Sequence, residues 1–147
     1  MDRYARSVQS LAFVYLKNLH DAEDAAQDVF VTYFRKAPHF VSAQKEHSWL
    51  MTVTANRCRS ILRMKCREEQ PLPEDLSYLP EEESVLMTAV LGLEKKYRLA
   101  IHLHYYEGYS LKEIGKFFHV SPGTVGSWLT RAREKLKKEL EEDYFEE

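Results

Sequence analysis

Apolar residues return at threes and fours through most of this chain, the period of helices buried on one side. Val8, Leu11, Ala12, Tyr15, Leu16 and Leu19 predict a first helix over residues 2–19. The chain starts almost inside it, without a cap, as expected where an N-terminal segment is missing. Asp21 is the expected cap of a second helix running to about residue 36. Its buried face is Ala22, Ala25, Ala26, Val29, Phe30 and Tyr33. Pro38 stops it, and 40–47 reads as a loop. A long third helix is expected over 48–67, apolar on two flanks. Trp49, Leu50, Val53, Ile61 and Met64 make one flank; Met51, Ala55, Cys58 and Leu62 make the other. Three prolines and seven acids in 68–84 read as a linker. Helices over 85–91 and 97–106 follow, the latter mostly core and rim.

The stretch over 110–140 has the strongest pattern. Ser110 and Glu113 make an S-x-x-E capping box, and Leu111, Ile114, Phe117 and Phe118 recur at helical spacing. The chain turns at His119-Val120. Ser121 then suits an N-cap, with Pro122 at the first helical position. Val125, Leu129, Ala132, Leu136 and Leu140 share one face at ~100° per residue. Thr124, Ser127, Thr130, Arg131 and Lys138 lie away from it. A short helix, a turn and a longer helix with a small, polar and basic outer face predict a helix-turn-helix sized for a DNA major groove. The alternative is an αα-hairpin with a solvated charged face. Local charge favours DNA: seven Lys/Arg against two Glu over 110–138. The last seven residues, EEDYFEE, are expected to fray.

Charge changes the picture further, because a net −2 conceals segregation. Residues 1–67 hold eleven Lys/Arg and six Asp/Glu, a balance of +5. The linker has seven acids and no base, and 139–147 six acids and no base. Basic modules separated by acidic segments suit a polyanion partner. At 147 residues the chain has room for one domain or two small ones. No apolar run approaches the ~20 residues of a membrane span, and no signal peptide is read. Cys58 and Cys66 would stand ~12 Å apart along a helix, too far for a disulfide. A reduced, cytoplasmic compartment is the expectation.

Two more surfaces are candidates. On the second helix Asp24, Gln27, Asp28 and Arg35 surround Val31, a polar face with an apolar centre. It is either a docking site or a solvated helix carrying one stray Val. On the third, Thr52, Asn56, Arg59 and Arg63 follow at i, i+4, i+7 and i+11, a narrow polar and cationic ridge between apolar flanks. That suits a nucleic-acid backbone; the alternative is a snorkelling Arg ridge.

In this order the pieces resemble the extracytoplasmic-function sigma factors of the sigma-70 family. DAEDAAQDVF is similar to that family's polymerase-docking helix, and HSWLMTVTANRCRSILR to its promoter-melting helix. LEKKYRLAIHLHYYEGYSLKEIGKFFHVSPGTVGSWLTRAREKL resembles its promoter-reading domain, including the G-T-V core and the R-A-R after it. The resemblance implies an all-α chain of two modules, 1–67 and 85–147, joined by linker 68–84. The implied partners are core RNA polymerase and promoter DNA, with an anti-sigma factor as a further candidate. Asp21, Glu23, Asp24, Gln27, Asp28 and Val31 would meet the polymerase. Thr52, Asn56, Arg59 and Arg63 would lie along the melted element. Ser121, Thr124, Ser127, Thr130, Arg131, Arg133 and Lys138 would read the upstream element.

Several positions depart from the family pattern. Gly126 and Trp128 stand where basic residues are usual, and packing is the expected role of Trp128. His119 stands where Gly is usual, which would strain it at positive φ. Ser60 replaces a usual acid. Other readings are a stand-alone helix-turn-helix regulator and a polymerase-binding protein that reads no promoter. An enzyme is not expected: His102, His104 and Glu107 are the nearest thing to a metal set, but helical residues two apart diverge. No cofactor, metal, membrane insertion or small-molecule substrate is expected.

Overall fold

In a computed structural model describing residues 2–64 and 81–145, all regular structure among the described residues is helical. The chain divides into two units, Met1–Pro71 and Leu72–Glu147. The first holds α1 (Asp2–Leu16), α2 (Leu19–Lys36) and α3 (Ala43–Met64), each packed on the other two. Its core takes Val8, Leu11 and Ala12 from α1, and Leu50, Met51, Ala55 and Cys58 from α3. The contribution of α2 is mostly alanine, Ala22, Ala25 and Ala26, with Val29. Small side chains let the α2 backbone come close to its neighbours. Each fully buried Leu adds about 1.5–3 kcal/mol relative to exposure.

The helix ends differ from expectation. α1 stops at Leu16 rather than 19, because Lys17 takes φ 56 and its N–H bonds Phe13 O at 2.8 Å. Asn18, not Asp21, caps α2: its side chain accepts from the Asp21 N–H at 2.9 Å. α3 begins at Ala43, inside the stretch read as a loop, with Ser42 Oγ accepting from Lys45 N–H at 3.2 Å. Met64 is 78% exposed and packs on neither flank. Residues 65–80, including Cys66 and most of the expected linker, lie outside the described residues.

The second unit holds α4 (Glu81–Leu91), α5 (Lys95–Ile101), α6 (Leu111–Phe118) and α7 (Pro122–Phe145). α4 starts four residues inside the span read as linker, and α7 runs through Phe145 where fraying was expected. Leu91, Leu93, Leu99, Ala100, Leu103, Ile114, Val125, Leu129 and Ala132 form the core. Leu136 and Leu140 are only half-buried. After α5 the chain widens into a π-turn, His102–Tyr106, where one continuous α-helix was expected. There the buried His102 ring stacks on Tyr106, centroids 4.8 Å apart. Arg98, 1% exposed, donates to the Leu93 carbonyl at 3.0 Å across the α4–α5 turn.

Candidate nucleic-acid interface

The helix-turn-helix is built by two caps and a glycine. Ser110 and Glu113 form the reciprocal capping box at the start of α6, at 3.1 and 3.0 Å. At its end His119 adopts the left-handed conformation, φ 60 and ψ 43. Val120 N–H bonds Gly115 O at 2.9 Å and His119 N–H bonds Lys116 O at 3.4 Å, a Schellman closure. The strain expected of His at positive φ is therefore present, about 1–2 kcal/mol relative to glycine. Gly115 permits the closure: a Cβ there would stand 2.6 Å from the Val120 carbonyl oxygen. Sequence reasoning missed this residue, although a glycine just before a turn was its signal. Ser121 Oγ then caps α7, accepting from Thr124 N–H at 3.1 Å.

The outer face of α7 is open. Ser121, Ser127, Thr130, Arg131, Arg133 and Lys138 are exposed, and Thr124 is half-buried. One of these cations is held in place. Arg133 Nη1 donates to Tyr105 Oη at 2.6 Å and Nη2 reaches Thr130 Oγ1 at 3.4 Å. Tyr97 beside Arg131 pushes its already high pKa further up. Thr130 Oγ1 donates back to the Gly126 carbonyl at 3.0 Å. Trp128 packs edge-on against Phe118, centroids 5.6 Å apart, the packing role expected of it. Gly126 would seat a Cβ in ordinary contact with Leu111, so no close approach demands glycine there.

In the first unit the ridge stands as the spacing predicts. Thr52, Asn56 and Arg63 are exposed and Arg59 is half-buried. Arg59 bridges, donating to Asn56 Oδ1 at 3.1 Å and to Tyr15 Oη at 3.2 Å. A cation fixed at both ends presents itself with less entropy to lose on binding. Thr52 Oγ1 turns back to the Ser48 carbonyl at 3.0 Å. Before α3 the segment 37–43 borders an open cleft of about 570 Å³ lined by Tyr33, Phe34, His39, Phe40 and Glu46. Tyr33 Oη donates to Glu46 Oε2 at 2.5 Å, and this bond raises its pKa. Phe34 is 73% exposed at the rim.

On α2, Glu23, Asp24, Gln27, Asp28 and Val31 are exposed, and Asp21 is half-buried behind its cap bond. Asp24 and Asp28 each meet a basic side chain. Asp24 faces His20 at 3.5 Å, and Asp28 accepts from Arg57 Nε at 2.7 Å. The Asp28–Arg57 pair is about half exposed and worth at most ~1 kcal/mol. It ties the acidic face of α2 to the ridge helix, a link the α3 spacing did not reveal. Cys58 is buried and free, its thiol pushed by burial up to about 12. His102 Nε2 and Glu107 Oε1 face one another at 3.8 Å, while His104 Nδ1 lies 2.8 Å from the Tyr109 carbonyl oxygen. The two histidines thus turn to different partners. Among the described residues no His, Cys, Asp and Glu group could hold a metal ion, and no helix is long and apolar enough to cross a membrane.

A helix-turn-helix with an open polar and basic face, and a three-helix unit with a fixed cationic ridge, define a two-part protein of nucleic-acid transactions. Residues 1–68 match the family described as Sigma-70 region 2, and residues 83–136 match Sigma-70, region 4. The RNA polymerase sigma factor CarQ of Myxococcus xanthus is 30% identical over 150 residues, covering 95% of this chain and 86% of CarQ. The ECF RNA polymerase sigma factor SigW of Bacillus subtilis is 29% identical over 161 residues, 95% of this chain and 86% of SigW. SigE of Mycolicibacterium smegmatis, also an ECF sigma factor, is 32% identical over 152 residues, 94% of this chain but 59% of SigE. In fold, the chain is similar to the sigma factor RpoE of Bartonella quintana, solved with the anti-sigma factor NepR. The TM-score is 0.78 at 22% identity, covering 95% of this chain and 92% of RpoE. The chain belongs to the sigma-70 family, within its extracytoplasmic-function group. It is an alternative sigma factor, a transcription initiation factor by family rather than an enzyme.

Proposed function

We propose that the chain divides this work between an N-terminal module, residues 1–67, and a C-terminal module that begins with α4 at Glu81, joined by the acidic segment between them. The α2 face of Asp21, Glu23, Asp24, Gln27, Asp28 and Val31 docks on core RNA polymerase. Acids around a half-exposed Val suit a basic partner surface with an apolar pocket. Thr52, Asn56, Arg59 and Arg63 lie along the strand of the melted element, and the segment before α3 flanks it. The α7 face of Ser121, Thr124, Ser127, Thr130, Arg131, Arg133 and Lys138 enters the major groove of the upstream element. A protein that works on polymerase and promoter acts in the cytoplasm, and an anti-sigma factor is a further candidate partner.

The observation that carries this reading is the openness of both polar faces: Arg63 on α3, and Ser127, Arg131 and Lys138 on α7, all reach solvent. One short recognition helix buries little DNA surface and binds weakly alone. Two modules held on one polymerase gain by effective concentration instead. Run-off transcription with core polymerase on a genomic promoter library tests the assignment. Transcripts should begin at a discrete set of two-part promoters. An operator footprint by the chain without polymerase would favour a stand-alone regulator, and core binding without any transcript would favour a polymerase-binding protein that reads no promoter.

A further inference from the structure

A second group of cations sits beside the recognition face. Trp128, Arg131 and Lys135 follow at i, i+3 and i+7 along one flank of α7, and Lys96 comes to that flank from α5. The Tyr97 ring is their common floor. Lys135 Nζ lies 4.8 Å and Lys96 Nζ 5.3 Å from its centroid, and the Arg131 guanidinium lies beside the same side chain. Lys96 Nζ is also 5.9 Å from the Trp128 ring. Aromatic faces attract cations at these distances and hold long side chains that would otherwise sweep through solvent.

Three like charges around one phenol repel each other, and the acids opposing them, Glu134 toward Arg131 and Glu94 toward Lys135, act weakly. Glu94 reaches Lys135 at 3.8 Å, an exposed pair of small value. Among the described residues no carboxylate pairs with Lys96. A polyanion arriving at this flank would relieve the repulsion. The flank borders the outward Ser127, Arg131 and Lys138 face, so DNA held by that face brings its backbone past Lys96.

We propose that Lys96 and Lys135, seated on the Tyr97 and Trp128 rings, form a phosphate-binding point for the DNA backbone at the edge of the groove that α7 enters. The ligand is a duplex phosphodiester. The point anchors the recognition helix in register without reading a base, as phosphate contacts do. It rests on the assignment of α7 as the promoter-reading helix.

The test is the salt dependence of holoenzyme affinity for a promoter fragment recovered in the run-off screen, measured from 50 to 200 mM KCl. Each phosphate contact adds about 0.9 to the slope of log affinity against log salt. Lys96→Gln should lower the slope by about that amount, so its deficit against wild type shrinks about threefold across the range. Lys95→Gln, an exposed neighbour outside the ring cluster, should leave the slope unchanged. A wild-type slope for Lys96→Gln, beside a lowered slope for Lys138→Gln, overturns the phosphate point and leaves the promoter-reading helix standing. Equal losses from Lys95→Gln and Lys96→Gln overturn it too, because general charge then suffices. If neither Lys96→Gln nor Lys138→Gln lowers the slope, or no promoter is recovered, the promoter-reading assignment falls and the phosphate point with it.

Discussion

Replacing Gly115 by alanine should cripple promoter reading while sparing the polymerase-docking unit. The new Cβ would lie 2.6 Å from the Val120 carbonyl oxygen and 3.4 Å from both Ser121 C and Pro122 N. Carbon and carbonyl oxygen normally approach to about 3.3 Å, so the atoms must separate by roughly 0.7 Å. The obstacle is backbone and cannot swing aside. Moving it pulls on the 2.9 Å Val120–Gly115 bond and on Ser121, which caps α7 one residue later. Overpacking of this kind costs about 1–3 kcal/mol, and a weakened turn bond about 1 more. Better helix propensity returns ~1, leaving a net loss of about 1–3 kcal/mol. Gly126→Ala is the control: its Cβ meets Leu111 Cδ1 at 3.8 Å, ordinary contact, so propensity should win and stabilise by up to ~1 kcal/mol. Urea unfolding followed through Trp128, in a Trp49→Phe background, reads both. Run-off transcription should fall for Gly115→Ala with core polymerase binding retained. An alanine at 115 that is neutral or stabilising, with full transcription, would refute the argument that this turn has no room for a side chain.

Three further outcomes are expected. Arg131→Ala should lower promoter-dependent transcription about tenfold, within the 1–3 kcal/mol of a lost DNA contact, and leave polymerase binding intact; equal loss of both counts against its role. Reversing Asp24 and Asp28 to Lys should weaken polymerase binding, Asp28 doubly so because it also places a cation against Arg57; unchanged affinity in a pull-down with core enzyme removes the α2 face from the mechanism. His102 has its pKa lowered to about 4 by burial, against a smaller upward pull from Glu107. Between pH 6.5 and 4 the unfolded chain therefore binds a proton that the folded chain refuses. Stability of the C-terminal unit should fall by ~3 kcal/mol as pH drops through that window, at ~1.4 kcal/mol per unit. His102→Phe should flatten that part of the profile in urea titrations, and an identical profile would show that His102 is not the group responsible.

Residues whose neighbours lie within a turn or two of helix were legible from spacing alone. The Ser110–Glu113 box, the Val125-Leu129-Ala132 core stripe and the Thr52-Asn56-Arg59-Arg63 ridge all stand as the 3.6-residue period requires. Local hydrogen-bond chemistry sets such features, and the chain carries it in order. The helix ends moved by two to five residues, because competing caps such as Asn18 and Ser42 differ by less than tertiary packing can override.

Partners distant in sequence were decided by the tertiary structure. Arg57 and Asp28 are 29 residues apart, Arg133 and Tyr105 28, and Arg59 and Tyr15 44, yet each pair meets because helices pack at particular angles. Periodicity reports which side of a helix faces inward and carries no information about what stands across from it. The same limit hid Gly115, whose necessity lies in a carbonyl five residues on, brought back by the turn. The sequence by itself therefore determined an all-helical chain with two polar faces, since burial and capping act locally. Which cations are held, and by which hydroxyl, ring or carboxylate, followed only once packing had brought those groups within reach.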